Sequence, residues 1–272
     1  MGEFPLVIFT VLSQLAVGAL ITIVLLDIYS NKINDRLGKK ITLMILGITA
    51  IGLGFSLFHL GHPFEAYRAL ANLGSSWLSR EVMLFSMFFV LLVVYYFQWQ
   101  EKSRKKIIGI ITSAVGLLAV LSSALVYVLP AAPSWNNFST LLFFFFTAAV
   151  LGPLFVLLII RIQGVTVSYS LVGFTAILLV SYLLSFIIYI SVLYAGEGAS
   201  SQSAAQMLVS SSFWLRMALS WLLPLGLITW AVSRKAGDYK YLAGVFLLVF
   251  TGEIIGRYLF YDTAVFLKIA GF

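Results

Sequence analysis

The sequence predicts an all-α, polytopic integral membrane bundle of eight transmembrane helices, and three observations predict it. The chain of 272 residues is 61% hydrophobic and only 10% charged, with a mean hydropathy of +1.05. A soluble chain is about half apolar and roughly a quarter charged, so this composition suits a bilayer rather than water. Its apolar residues fall into eight runs, most of them near the roughly 20 residues that an α-helix needs to cross hydrocarbon. The loops between these runs are too short for a separate globular unit, so residues 1–272 read as a single transmembrane domain.

In order, the expected spans are 5–26, 41–60, 78–97, 107–129, 138–160, 169–195, 213–232 and 241–260. The first follows Met1-Gly2-Glu3-Phe4, which lacks the basic segment of a cleavable signal peptide, so it is expected to remain a true span. The third is short, the sixth is the longest and is expected to tilt. Pro153 and Pro224 lie inside spans and are expected to kink them, which neighbouring helices in a membrane bundle tolerate. Loops 130–137 and 196–212 are polar and nearly uncharged, and the Ser-rich run 200–212 is a candidate short surface helix.

Charge sets the expected orientation. The odd-numbered loops carry four (Lys32, Arg36, Lys39, Lys40), four (Lys102, Arg104, Lys105, Lys106), one (Arg161) and three (Arg234, Lys235, Lys240) basic residues, twelve of the seventeen. By the positive-inside rule these loops are cytoplasmic and both termini face the outer, periplasmic side of a bacterial cytoplasmic (inner) membrane. Trp77, Trp135 and Trp214 fall near the outer boundary and Trp99 and Trp230 near the inner one, as an aromatic belt would place them, whereas Trp221 lies deeper. The net charge of +7 is accounted for by these short loops, so no nucleic-acid partner is implied. The absence of cysteine excludes thiolate-held iron–sulfur clusters and Cys-type zinc sites. His59 and His62 are the only histidines, so no bis-histidine haem across the bundle can form, and the chain is expected to carry no metal of its own.

Ionisable residues close to hydrocarbon are costly and point to function. With the expected orientation the second span ends at His59, ahead of Gly61-His62-Pro63, and the third opens at Arg80-Glu81. Glu253 and Arg257 lie in the outer half of the last span, spaced i, i+4 for a same-face ion pair, and Arg216 lies in the first turn of the seventh. Pro63 disfavours helical geometry at His62, so the helix would end beside His59 and leave its imidazole facing a cavity. An imidazole and a partly buried carboxyl can take the two protons released when a quinol loses two electrons. Two readings of His59 stand side by side, a proton acceptor and a plain polar cap. Two also stand for Glu253–Arg257, a fastening between helices and a part of a binding site. The charged stretch 65–74 would dock a partner subunit, frame the quinone entry or form a solvated short helix.

The run His59-Leu60-Gly61-His62-Pro63, with Ser79-Arg80-Glu81 opening the next helix, resembles the membrane anchor subunit family of bacterial dimethyl sulfoxide reductase. Glu3-Phe4-Pro5-Leu6-Val7-Ile8-Phe9-Thr10 is similar to that family's start, and Gly252-Glu253-Ile254-Ile255-Gly256-Arg257 to its close. The resemblance implies an anchor that oxidises menaquinol to menaquinone at the outer face. It also implies two partners in a heterotrimer, an iron–sulfur subunit that receives the electrons and a molybdopterin catalytic subunit beyond it. It ties His59 to quinol oxidation and Glu81 to the quinol site, while Gly61 and Pro63 belong to the same motif. Two features depart from the family pattern: Glu65 stands where a basic residue is usual, and Arg80 where a neutral one is, altering the potential at Glu81.

The resulting expectation is a quinol-oxidising anchor with His59 and Glu81 as proton acceptors and Arg80, Gly61, Pro63, Glu253 and Arg257 around the quinone. The rivals are a small-solute or ion transporter, which would place its binding groups near the midplane, an anchor serving a different acceptor such as a sulfur compound or an oxyanion, and a structural anchor with no site.

Overall fold

The computed structural model describes residues 4–30, 33–59, 72–165, 169–234 and 239–267. Among them there are helices and turns but no strand. The helices are α1 (Phe4–Tyr29), α2 (Asp35–His59), α3 (Trp77–Phe97), α4 (Lys102–Leu125), α5 (Phe138–Ile162), α6 (Tyr169–Ala195), α7 (Ala199–Val209), α8 (Ser211–Arg216), α9 (Leu223–Ser233) and α10 (Tyr239–Asp262). Eight of the resulting segments are long and apolar enough to cross a membrane, with 211–233 counted as one. The seven others are α1 to α6 and α10, so every expected span has its helix. Boundaries move by a few residues: α2 begins at Asp35, where Asn34 Oδ1 accepts the Leu37 N–H at 2.8 Å as a helix cap. The Ser-rich run 200–212 carries α7.

Pro224 does distort its span, and the form of the distortion is specific. Proline has no N–H for the carbonyl four residues back, that of Ser220. The chain responds with a π-helical turn over Met217–Leu222, in which the Leu223 N–H reaches Ala218 O, between α8 and α9. Pro153 lies inside α5, which continues through it from Phe138 to Ile162.

The helices group into two compact units. One comprises Met1–Ser123 with Thr147–Val167, the other Ala124–Phe146 with Ser168–Phe272. In the first unit most of α1 between Val7 and Val24 is buried, as a helix without a polar face should be. It crosses α5 at close range: a Cβ on Gly18 would collide with the carbonyl of Ala148, and one on Gly152 with the backbone of Gly18. Such small-residue contacts let membrane helices approach without side chains between them. Gly18→Leu is therefore expected to destabilise the protein by at least the roughly 1–3 kcal/mol typical of overpacking. Gly47→Leu, where a Cβ meets nothing within 4 Å, should leave the thermal midpoint in detergent nearly unchanged.

At the other end of this unit Lys105 is buried and bonds Asp27 at 2.9 Å, with Asp35 at 3.7 Å. Its ammonium also lies 4.4 Å from the ring centre of Trp99, whose indole N–H donates to Thr42 Oγ1 at 2.9 Å. The charges thus tie together the C-terminal end of α1 and the N-terminal ends of α2 and α4. Trp99 is wholly buried and serves as an internal clasp here. Lys105→Met is expected to cost about 3–5 kcal/mol by stranding Asp27. The double variant Asp27→Leu/Lys105→Met should recover most of that loss in a thermal-shift measurement.

In the second unit an aromatic cluster closes the turn between α4 and α5. Trp135 stacks on Phe260 at 5.3 Å and donates its N–H to the Phe260 carbonyl, and Tyr261 donates to Tyr127 at 3.0 Å. α10 runs against the π-helical turn through Gly252 and Gly256, where added Cβ atoms would strike Ser220 and Arg216.

Candidate functional site

Ser76 caps α3, its hydroxyl accepting the Ser79 N–H at 3.3 Å, and this fixes Arg80 and Glu81 in the helix's first turns. The two adjacent residues go different ways. Arg80 turns back over the capping turn: its Nε and Nη2 donate to the carbonyls of Leu73 and Gly74 at 2.9 and 2.6 Å, and its guanidinium sits 4.2 Å from the Trp77 ring. Glu81 turns inward and is only 4% exposed. Ser123 near the end of α4 presents its hydroxyl to the carboxyl, yet neither Glu81 Oε1 nor Ser123 Oγ completes a hydrogen bond. A buried polar atom without a partner is rare and needs an explanation, and a missing ligand is one.

His59 is the last residue of α2. Its side chain, together with Gly61, Pro63, His62, Glu65 and Arg68, lies outside the described residues. Beside Arg80 runs a groove of about 440 Å³ between α3 and α4, lined mainly by apolar side chains.

Glu253 and Arg257 lie one turn apart on α10 in the second unit, both buried. Glu253 accepts from Tyr182 at 3.0 Å through Oε2 and from Ser220 at 3.3 Å through Oε1. Arg216 Nη2 donates to the Tyr182 oxygen at 2.8 Å, and its guanidinium lies 4.3 Å from the Phe186 ring centre. Arg257 lies 3.7 Å from the ring centre of Phe144. The cavity these residues share with Tyr189 is about 20 Å³, the room of roughly one water molecule. A network this closely filled can hold helices in register and balance charge.

Three contributors go beyond the residues singled out for the site from the sequence. Ser123 and Ser220 have no signal there, being serines in apolar helices among many. Tyr182 has a weak one, since a phenol deep in an apolar span needs a partner, but it is one of thirteen tyrosines in the chain.

A sequence model of the DMSO reductase anchor subunit (DmsC) family matches residues 1–263. The chain is 31% identical over 268 residues to the anaerobic dimethyl sulfoxide reductase chain YnfH of Escherichia coli, covering 95% of this chain and 94% of that one. It is 28% identical over 276 residues to a second anaerobic dimethyl sulfoxide reductase chain of the same organism, with the same coverage. A shorter stretch of 101 residues, 35% of this chain and 30% of its counterpart, is 33% identical to a sulfite dehydrogenase subunit of Allochromatium vinosum. With eight apolar helices of spanning length and a match over almost its full length, this multi-pass membrane protein belongs to the DMSO reductase anchor subunit family.

Proposed function

We propose that the chain anchors a dimethyl sulfoxide reductase-like molybdoenzyme in the bacterial cytoplasmic membrane and oxidises menaquinol there. The family places it as an anchor subunit. The observation that supports a quinol site is the buried carboxyl of Glu81, which faces Ser123 with one oxygen unbonded, at the start of the helix that follows the His59 motif. A quinol hydroxyl in that position would donate to Glu81 and satisfy it.

Oxidation removes two electrons and two protons from the quinol and leaves the quinone. Glu81 takes one proton and the His59 imidazole the other, both groups then releasing them to the outer side, where the basic-loop count orients the α2–α3 connection. Without a cysteine the chain binds no thiolate-held cluster, so the electrons go to an iron–sulfur partner subunit and on to a molybdopterin catalytic subunit. The quinone therefore lies close to the partner. Arg80, one residue before Glu81, adds positive potential beside the carboxyl that accepts the proton. Gly61 and Pro63 end the helix beside His59.

Glu253 and Arg257 hold the helices of the second unit together, consistent with their water-sized cavity. The terminal acceptor, dimethyl sulfoxide or another S- or N-oxide, is chosen by the catalytic partner. The reading is tested by driving the intact complex alternately with a menaquinol analogue and with a reduced dye that feeds the partner subunits directly. Variants at 59 and 81 should lose the first activity and keep the second.

A further inference from the structure

We propose that the groove between α3 and α4 is a binding site for an anionic phospholipid, its phosphate on Arg80 and an acyl chain along Met83, Leu84, Leu118 and Leu121. The inference does not depend on the quinol reading, in which Arg80 acts only through its charge: it rests on the lipid-facing side of α3 rather than on Glu81. At about 440 Å³ the groove has the volume of a small-molecule site, within the roughly 300–1,000 Å³ such sites occupy. Its walls are apolar save at the Arg80 end.

The charge at that end is what selects the occupant. No carboxylate of the described residues comes within ion-pair distance of Arg80. The carbonyls of Leu73 and Gly74 take two of its five N–H groups, fixing the guanidinium at the groove's mouth and leaving three for a ligand. Carbonyls hold the fork in place without neutralising it. A phosphate diester matches both the charge and the fork geometry, and an uncharged quinone head matches neither. Trp77, which is 41% exposed, lies against the guanidinium and supplies the amphipathic ring typical of the headgroup level.

Trp77 lines the groove and so reports on it. The full chain is reconstituted in phosphatidylcholine vesicles doped with acyl-brominated phosphatidylglycerol or, separately, acyl-brominated phosphatidylcholine. The Trp77 contribution is taken as the difference from Trp77→Phe. Half-quenching is expected at about fivefold lower mole fraction of the anionic lipid, the preference one basic residue confers near a membrane surface. Arg80→Gln should abolish that preference and Arg80→Lys should keep most of it. Equal quenching by the two lipids, or a preference that survives in Arg80→Gln, overturns the proposal. Displacement of the brominated anionic lipid by an uncharged long-tailed quinone would also overturn it, giving the groove to a quinone tail.

Discussion

Replacing Glu81 with glutamine is expected to lower quinol-driven turnover by roughly 10²–10⁴-fold, the range that a positioned acid–base group contributes. The substitution keeps the shape of the side chain, so assembly and thermal stability should change little. What it removes is the ability to hold a proton taken from the quinol. His59→Ala should give a loss of the same order, and the double variant should fall little below either single one, because both protons must leave for the two electrons to do so. In each variant a reduced dye should still drive acceptor reduction at the wild-type rate. A Glu81→Gln complex with unchanged quinol turnover would confine that carboxyl to a structural role.

The second large effect concerns stability. Glu253→Leu deprives the hydroxyls of Tyr182 and Ser220 of their shared acceptor and leaves Arg216 in a buried site with less opposing charge. The expected cost is about 3–5 kcal/mol, as for other broken buried ionic networks. It should appear as a lower thermal midpoint of the purified complex and as poor accumulation in the membrane. Glu253→Gln retains the acceptor and should lose clearly less. Should Glu253→Leu instead keep its stability and lose quinol turnover alone, the cluster would belong to the reaction and not to the scaffold.

The fold was legible because apolar run length depends on bilayer thickness and on little else. All eight spans could be placed from composition, with only their ends displaced: α4 begins at Lys102 and not near 107, since a helix continues into polar sequence once its apolar part is anchored. The π-helical turn before Pro224 was legible only as a kink, because sequence shows the missing N–H but not how the chain re-pairs around it. Lys105 and Trp99 illustrate a deeper limit. Each sits where topology and belt rules place such residues, and each is buried in a three-helix clasp with Asp27 that no spacing within one helix reveals.

The site divides along the same line. Glu81 could be named because an acid at the start of an apolar helix is conspicuous against its surroundings. The hydroxyl that faces it could not, since Ser123 is separated from it by more than forty residues and resembles every other serine of these helices. Glu253 and Arg257 declared themselves through i, i+4 spacing. The further anchors of that cluster, Tyr182 and Ser220, come from other helical segments, and Ser220 is brought in by the close crossing at Gly252.

In the proposed function the quinol is oxidised where the end of α2 meets the start of α3. A photoactivatable azido-menaquinone bound to the intact complex, crosslinked and mapped by peptide mass spectrometry, tests it most directly. The account predicts label on this chain in peptides between the last turns of α2 and the first turns of α3, diminished in Glu81→Gln and competed by a menaquinol analogue. Label confined to α10, or to another subunit, would contradict it.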